Sequence, residues 1–442
     1  MIYRLIVVSC FAAVSFAQSY SAESYSTQPY STNEDPQLAL YLEQALDRNP
    51  AVRQSFARYR AALQRLPQVS ALPDPVLGFT RFFRSPETRV GPQTTMLTLS
   101  QRFPWFGKLS DREKIAAKEA AAFREQHEAR KDEVIRQLKF AYYDLAYIDR
   151  AIRIAEQDQA LLEHYETLAQ ARYAQGVGLQ QAVIRLQAEI TRVRNRLEHL
   201  RSQRVSAEAS LNTLLDLPAR SPVGGIVLET RPGVEIHFDA LTEIGRNHRP
   251  EVQAALLQIE KDEGRIHLAR KNYWPDFTLG ASFINVTGRS DASGLLRPPS
   301  QNGKNIYSFT AGVNIPIRRR KYDAAVIEAT EDRIGSREGY RSVLNSVEAA
   351  VRAVGFRIQT LEEQITLFER TLLPQAEQTL RSTETAYSTG TLGVLDLLDS
   401  ERVLLEVRLG LEQLRSEYMK SLAEMERAIG APFPQPGPDQ GL

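Results

Sequence analysis

The sequence predicts a mainly helical chain that carries a smaller set of strands and is built from two copies of one unit. Three observations predict this fold class. The same short motifs occur twice in the same order, two long stretches have the apolar spacing of coiled coils, and four short segments alternate apolar with small or polar residues. Each copy is therefore expected to combine a long antiparallel helical hairpin with two strands.

The duplication sets the predicted boundaries. Matched motifs occur near the start and near the middle of each copy: Asn49-Pro50 with Arg249-Pro250, and Tyr173 to Gly176 with Tyr387 to Gly390. We place the first structural repeat at residues 37–216, a Pro- and Gly-rich linker at 217–238 and the second repeat at 239–430. Nearly all of the extra length of the second copy falls within residues 285–305, where a tolerant surface loop is expected.

The N-terminus is typical of an exported protein. Arg4 precedes the apolar run 5–16, and small residues follow, so residues 1–17 are predicted to be a signal peptide. An alternative treats Cys10 as a lipidated cysteine, although this leaves only a very short apolar run. Residues 18–36, rich in Ser and Tyr, are predicted to form a tether, and residues 431–442, rich in Pro and Gly, a disordered tail.

The composition favours an ordered protein that does not bind nucleic acid. Of 442 residues, 43% are hydrophobic and 25% are charged, and the net charge is +1. No basic stripe interleaved with aromatic residues stands out, so nucleic acid is not an expected partner. Cys10 is the only cysteine, which leaves no disulfide framework and no thiolate metal site.

Helical rods are predicted in both copies. Residues 108–175 contain neither Gly nor Pro, and a second amphipathic helix follows each glycine-containing tip. We therefore predict helical hairpins over residues 108–214 and 318–428. Their apolar residues recur at alternating steps of four and three, which is typical of coiled-coil seams; the positions are Val134, Leu138, Ala141, Leu145, Ile148, Ile152 and Ala155, and then Val347, Val351, Val354, Ile358, Leu361, Ile365, Phe368 and Leu372.

Four segments with a period of two predict strands at residues 76–84, 95–103, 276–286 and 306–316. Each is close to the length of a tilted membrane strand, about 9 to 11 residues. No segment after the N-terminus approaches the roughly 18 apolar residues of a membrane helix, so any membrane-spanning part is expected to consist of these strands. Soluble β-hairpins with one solvent-exposed face have the same alternating pattern and remain an alternative.

Aromatic residues favour the membrane alternative. Trp105 with Phe106 and Trp274 with Tyr273 lie at the strand–helix junctions of the two copies, and amphipathic rings are enriched at membrane interfaces. Four strands cannot close a barrel, and open sheet edges are not tolerated in lipid. A membrane sheet of this kind therefore requires several chains to share one wall.

The sequence contains no recognisable catalytic motif. None of the six histidines has a metal-ligand spacing with another, and no phosphate loop or nucleophile elbow occurs, so we predict no enzymatic activity, cofactor or metal site. The polar feature that stands out is Asp396 with Asp399, whose spacing places both on one helical face. They are either favourable charges in a first helical turn or, in a symmetric tube, a ring that selects cations.

The order and duplication of these motifs resemble the TolC-like outer-membrane efflux family. The resemblance covers about residues 37–430 and rests on the duplication, Asn49-Pro50, Leu72 to Pro75, the run from Ser100 to Lys108 and the paired Tyr-x-x-Gly tips. The Phe-Pro-Trp-Phe-Gly-Lys run is most similar to the branch that serves heavy-metal efflux pumps.

The resemblance implies a homotrimer in the outer membrane of a Gram-negative cell. Its parts would be a 12-stranded barrel surrounded by outer-membrane lipid, with four strands from each chain, and an α-helical tunnel with a long periplasmic extension. The implied partners are a periplasmic adaptor (membrane fusion) protein and an inner-membrane transporter of the RND type.

The resemblance also assigns roles to individual residues. Tyr387, Asp396 and Asp399 match positions of the periplasmic gate. Leu392 and Ile184 occupy the positions of a charged pair that holds the gate, so closure is expected to depend on other contacts. The positions that match adaptor-docking tips are Gly176, Val177, Gly178 and Leu179 in the first copy, and Gly390, Thr391, Leu392 and Gly393 in the second.

These inferences predict a passive, non-enzymatic exit duct of a tripartite efflux system. It would export small solutes such as metal ions or drugs from the periplasm or the inner-membrane pump. An exit duct for type I protein secretion has the same fold and would differ in its transporter. A coiled-coil scaffold without a barrel is a further alternative, which the alternating strands and the interface tryptophans disfavour.

Overall fold

The computed structural model describes residues 35–227 and 233–433 of the chain. The predicted signal peptide, residues 18–34 of the predicted tether and residues 434–442 of the predicted tail lie outside the described residues. The described part is mainly helical and contains one small antiparallel sheet, which confirms the predicted fold class at that level.

The first copy runs through three short helices and two strands to a long helical hairpin. The segment before the strands is divided into separate helices because Asn49 caps a new helix and because Pro67 has no N–H to bond to the carbonyl group of Leu63. The side-chain oxygen of Asn49 accepts hydrogen bonds from the N–H groups of Ala51 and Val52 at 2.9 and 3.4 Å. The elements are α1 (Pro36–Arg48), α2 (Pro50–Leu63), α3 (Arg65–Ser70), β1 (Val76–Arg81), β2 (Gln93–Phe103), α4 (Lys108–Ala174) and α5 (Gln180–Leu214).

The second copy repeats this order with two departures. A one-turn helix lies inside the predicted loop, and the first long helix is interrupted by a π-helical segment, Phe368–Leu372. Pro374 explains the interruption, because it has no N–H to donate to the carbonyl group of Arg370. The elements are α6 (Phe238–His248), α7 (Pro250–Lys271), β3 (Phe277–Val286), α8 (Ala292–Leu296), β4 (Ile306–Val313), α9 (Arg319–Leu367), α10 (Leu373–Thr389) and α11 (Val394–Ile429).

The apolar core follows the long helices. α4 packs against α2, α5, α7 and α11, while α9 packs against α7 and α11. The seam residues Leu138, Leu145, Val351 and Ile358 are completely buried. Since α4 has 67 residues, its length is about 100 Å, and the core is correspondingly elongated.

The four strands form one sheet in the order β1-β2-β3-β4, with every neighbouring pair antiparallel. The central pair, β2 and β3, joins the two copies of the repeat. One face carries apolar residues along matched rows, as in Leu77, Leu99, Ala281 and Phe309. The opposite face carries small and hydroxyl residues over most of its rows, as in Gly78, Thr98, Ser282 and Ser308.

The strands differ from the predicted ranges mainly at two ends. β1 ends at Arg81 rather than at residue 84, and the chain then reaches a turn in which Thr88 and Gly91 exchange backbone hydrogen bonds. β4 ends at Val313 rather than at residue 316, because Pro316 has no N–H for the ladder. β2 begins two residues before the predicted range and β3 one residue after it.

Within residues 35–227 and 233–433, no helix combines the length and the apolar character needed to cross a membrane.

Candidate functional site

Two glycines shape the turn between α4 and α5, which we call the first tip (residues 175–179). Gly176 has a φ of +75°, in the left-handed region that favours glycine after a helix. The N–H groups of Val177 and Gly178 donate to the carbonyl oxygen of Arg172 at 3.1 and 3.0 Å, which closes the last turn of α4. A Cβ atom on Gly178 would lie 2.9 Å from the backbone nitrogen of Tyr173. This turn therefore has no room for a side chain at Gly178.

The second tip, residues 390–393 between α10 and α11, has a related construction. Gly390 has a φ of +80°. The backbone N–H and the hydroxyl group of Thr391 both donate to the carbonyl oxygen of Ala386 at 2.9 Å. At the start of α11, the N–H of Gly393 donates to the carboxylate of Asp396 at 3.1 Å. Local hydrogen bonds thus fix both tips.

Arg172, near the end of α4, contacts the second hairpin close to its tip. The guanidinium group of Arg172 lies 5.1 Å from the ring centre of Tyr387 and also donates a hydrogen bond to the carbonyl oxygen of Tyr387. Tyr387 is buried. Leu392 and Ile184 remain largely exposed. Arg172 therefore links the first hairpin to the second at this end of the molecule, together with the hydrogen bond from Tyr165 to Glu384.

A cleft of about 280 Å³ lies between the two tips. Its apolar side chains stand well out into solvent: Val177 and Leu179 are 74% and 73% exposed. The cleft is also lined by charged residues of both signs, the cations Arg172 and Arg185 and the acid Asp396. An open apolar cleft with a mixed polar rim is suited to contact with another protein rather than to chemistry on a small molecule.

Asp396 and Asp399 both lie on the exposed side of the first turns of α11. Asp396 has the local role of a capping residue, through its bond to the N–H of Gly393. Asp399 forms no hydrogen bond or ion pair with another described residue. The two acids are thus presented together on one helical face, as their spacing predicted.

A buried charge network holds the sheet to the helices. The carboxylate of Asp276, directly before β3, accepts hydrogen bonds from the ammonium group of Lys108 at 2.8 Å and from the N–H of Trp105 at 2.9 Å. Arg102 at the end of β2 contacts the other carboxylate oxygen at 2.6 Å. Lys108 and Asp276 are both more than nine-tenths buried. The network joins β2, β3 and the first turn of α4.

The predicted interface aromatics surround this network. The rings of Trp105 and Trp274 are stacked with centres 5.0 Å apart, and Phe106 packs edge-on against Trp105. Tyr273 donates a hydrogen bond to Asp323. Phe106 and Trp274 are largely exposed, at 80% and 54%. The junction therefore presents aromatic rings from both copies at one end of the sheet.

Two carboxyl groups are buried together in the hairpin region. Asp158 on α4 and Glu401 on α11 are 8% and 3% exposed and lie within hydrogen-bonding reach of each other. Oδ2 of Asp158 is buried and has no hydrogen-bond partner among the described residues. Burial, reinforced by the contact with Asp158, raises the pKa of Glu401 to about 9. At neutral pH the pair therefore holds one proton, which Glu401 can donate to Asp158.

Sequence reasoning located the tips, the acids and the aromatics, but it missed Arg172, Asp276 with Lys108, and the pair Asp158 and Glu401. A signal for Asp158 was present, because it interrupts an otherwise apolar stripe with steps of four and three: Ala151, Ala155, Asp158, Leu162, Tyr165 and Ala169. Nothing in the local sequence indicated the partner of any of these residues. In the part of the chain that the structure describes, no group of three or more His, Cys, Asp or Glu residues could hold a metal ion.

This sheet and these hairpins define the fold of the TolC-like outer-membrane channels. The crystal structure of the outer membrane protein VceC from Vibrio cholerae has a TM-score of 0.73 to this chain, with 20% identity, and covers 90% of this chain and 97% of VceC.

Sequence comparison gives the family. The family model described as outer membrane efflux protein matches residues 41–216 and 243–431, and the chain belongs to that family. The nodulation protein T of Rhizobium leguminosarum bv. trifolii is 24% identical over 90% of this chain and 86% of that protein. The toluene efflux pump outer membrane protein TtgF of Pseudomonas putida is 24% identical over 90% of this chain and 83% of that protein. The predicted family and the predicted outer-membrane location are confirmed.

Proposed function

We propose that this chain is the exit duct of a tripartite efflux system and that three copies close one 12-stranded barrel. The observation that carries the proposal is the sheet, which has one apolar face, one hydroxyl-rich face and two edge strands, β1 and β4, without a partner in the described chain. Unpaired strand edges are not tolerated in lipid, and further copies of the same chain supply the missing partners.

The two faces support a passive path through such a barrel. On the hydroxyl-rich face, the hydroxyl groups of Ser282 and Ser308 lie 2.6 Å apart across β3 and β4, and that of Thr98 donates to the carbonyl oxygen of Gly78 at 3.4 Å. This face would line the pore, and the opposite face, with Leu77 among its exposed residues, would meet lipid. A neutral hydroxyl lining binds no solute strongly, so selectivity is left to the partners.

Disulfide trapping with conductance measurement tests the shared barrel. Replacing Phe79 on β1 by cysteine, together with one residue of β4 at a time (Tyr307, Phe309 or Ala311), should produce covalent dimers and trimers under oxidation, because the edge strands would pair between copies. The same protein should give discrete conductance steps in a planar bilayer.

A matched control uses a pair whose register is known. Leu97 and Phe283 are opposite each other on β2 and β3, so cysteines there should link within one chain. If that control forms while no β1–β4 pair yields multimers and no conductance appears, the shared barrel is wrong.

We also propose that the two tips dock the periplasmic adaptor and that an inner-membrane transporter of the RND type, as the resemblance implies, supplies the energy. The exposed Val177 and Leu179 beside the cleft support this role. Replacing both by Ser should abolish efflux in cells while leaving conductance intact, because the tips lie far from the sheet. Intact efflux in this variant would remove the docking role.

Asp396 and Asp399 are proposed to favour cations at the periplasmic end, beside the gate residue Tyr387. Replacing both by Asn removes the charges while leaving an acceptor for the N–H of Gly393, so folding and charge effects are separated. We expect the reversal potential in a salt gradient to shift toward that of a less cation-selective pore. An unchanged reversal potential would exclude the role.

The cargo is proposed to be small solutes such as metal ions or drugs. The relative TtgF is named for toluene efflux, and the run from Phe103 to Lys108 resembles the heavy-metal branch. Growth of a strain that lacks this chain, with and without a plasmid copy, is measured against divalent metals and against organic solvents. The comparison distinguishes metal cargo from organic cargo. A strain with unchanged tolerance to both would overturn this cargo assignment.

A further inference from the structure

Four consecutive cations lie where the sheet meets the helices of the second copy. Arg318, Arg319, Arg320 and Lys321 follow the end of β4 after four residues, and all four are exposed. None of them forms an ion pair with another described residue. Lys321 lies 6.0 Å from the ring centre of its neighbour Tyr322, and the nearby acid Asp323 accepts the hydroxyl group of Tyr273 instead. Asp323 is the one acid in residues 314–327, so the cluster keeps a net positive charge.

Two exposed apolar residues lie between the sheet and these cations along the chain. Ile315 and Ile317 are 76% and 79% exposed, directly between β4 and the cations. The apolar face of the sheet ends in the row of Phe103, Phe277 and Val313. Along the chain, the order is thus apolar strand, exposed apolar residues, and cations, which matches the passage from hydrocarbon to lipid headgroups.

Local helix stability does not explain these cations. Arg318 is the N-cap residue of α9 without a side-chain capping bond, and the first turn of α9 contains no acid. Positive charge at this end of a helix is unfavourable, because the helix dipole is positive there. The run is therefore expected to serve contact with something outside the chain.

A second copy of the chain does not account for the patch either. In the proposed barrel, β4 meets β1 of the next copy, and the residues just before β1 contain one acid, Asp74. Asp74 and Asp323 together can neutralise two of the four cations, which leaves an excess of positive charge at each of the three boundaries.

We propose that residues 315–321 form a lipid-binding belt that selects the anionic phospholipid headgroups of the periplasm-facing leaflet. The proposal rests on the membrane position of the sheet that is proposed above. Ile315 and Ile317 enter the boundary of the hydrocarbon, and the four cations meet headgroup phosphates. An anionic surface attracts each such cation independently, so the belt gives preference without a closed pocket.

Both tryptophans of the chain, Trp105 and Trp274, lie at the same junction and make the belt measurable. The full-length protein is reconstituted in vesicles of phosphatidylcholine mixed with phosphatidylglycerol, with bromine on the chains of one lipid at a time, and tryptophan quenching is recorded. We expect local enrichment of phosphatidylglycerol by about fivefold or more, the factor expected of a single cation near an anionic surface. High ionic strength should reduce the preference.

Three variants separate the explanations. Replacing all four cations by Gln should make quenching by the two lipids equal, whereas replacing the three arginines by Lys should retain the preference. A variant with Gln at Arg81, Arg84 and Arg89, at the other end of the sheet, should also retain it. If the Gln variant does not fold, the salt dependence of the native protein and the Lys variant still test the belt.

Equal quenching of the native protein by both brominated lipids would overturn the belt but leave the barrel intact. An absence of quenching by either lipid would instead contradict the membrane position of the sheet, and with it the proposed function. Loss of the covalent trimer in the Gln variant, with lipid preference retained, would show that the cations contact a second copy and would also overturn the belt. Displacement of lipid by inorganic phosphate alone would identify a free-anion site instead.

Discussion

Glu401→Gln is expected to stabilise the hairpin region at neutral pH. Glu401 is buried against Asp158, and it stays protonated when the chain is folded. Glutamine has nearly the same shape and carries a permanent amide N–H that can donate to Oδ2 of Asp158, a buried atom without a hydrogen-bond partner among the described residues. The substitution therefore keeps the packing and the hydrogen bond but removes the need to bind a proton.

The magnitude follows from the two pKa values of Glu401. Its pKa rises from an ordinary 4.5 to about 9 on folding. Because the folded pKa is raised, the stability is greatest below pH 4.5, falls as the pH rises, and levels off near pH 9. At about 1.4 kcal/mol per pH unit, the loss by pH 7 is at most about 3 kcal/mol. Glu401→Gln should recover most of this at pH 7 and almost nothing at pH 4.5.

The charged groups around the pair modify this figure without changing its sign. Glu189 on α5 raises the pKa of Glu401 further, and Arg402 on α11 lowers it. Arg196 on α5 and Arg408 on α11 act on Asp158 and favour its charged form. The carboxylate of the pair is therefore expected to be Asp158 and the protonated group Glu401.

Thermal unfolding followed by circular dichroism at pH 5, 7 and 9 gives the pH slope, and hydrogen exchange of α11 peptides at pH 7 gives the local stability. The matched control is Glu406→Gln, which removes an exposed carboxylate from the same helix. It should change neither measurement. If Glu401→Gln leaves the slope between pH 5 and 9 unchanged, or destabilises α11 at pH 7, the shared-proton interpretation is wrong.

Three further substitutions test other contacts. Arg172→Ala removes the hydrogen bond and the ring contact to Tyr387, so the second tip should lose about 1 to 2 kcal/mol of local stability. The loss should appear as faster hydrogen exchange in residues 386–393. Unchanged exchange would mean that the tips are independent. Asp276→Ala leaves the buried ammonium group of Lys108 without its carboxylate, which should lower the free energy of unfolding by about 3 kcal/mol or more. Tryptophan emission should shift to the red. An unshifted spectrum would argue against the network as the anchor of the sheet. Gly178→Ala places a Cβ atom 2.9 Å from the backbone of α4, so the first tip should rearrange and efflux should fall. Full efflux would show that the turn tolerates a side chain.

Much of the architecture follows from local patterns. The first long helix follows from the absence of Gly and Pro over residues 108–175. In both copies the helices also follow from apolar steps of four and three, which depend only on helical geometry. The strands follow from alternation, although their ends depend on where Pro316 and the turn at residues 88–91 stop the pairing. The π-helical segment before α10 was not predicted, because Pro374 alone also allows a simple helix boundary.

The sequence by itself therefore determined the duplication, the helical hairpins, the four strands and the glycine tips, because each depends on residues close together in the chain. Only the tertiary structure decided which charged groups meet. Asp276 and Lys108 are 168 residues apart, and Arg172 and Tyr387 are 215 residues apart. Asp158 and Glu401 are likewise brought together by the packing of α4 against α11. A periodic pattern shows that a position is buried, but it does not specify the residue on the other helix, because that depends on how the helices pack in register.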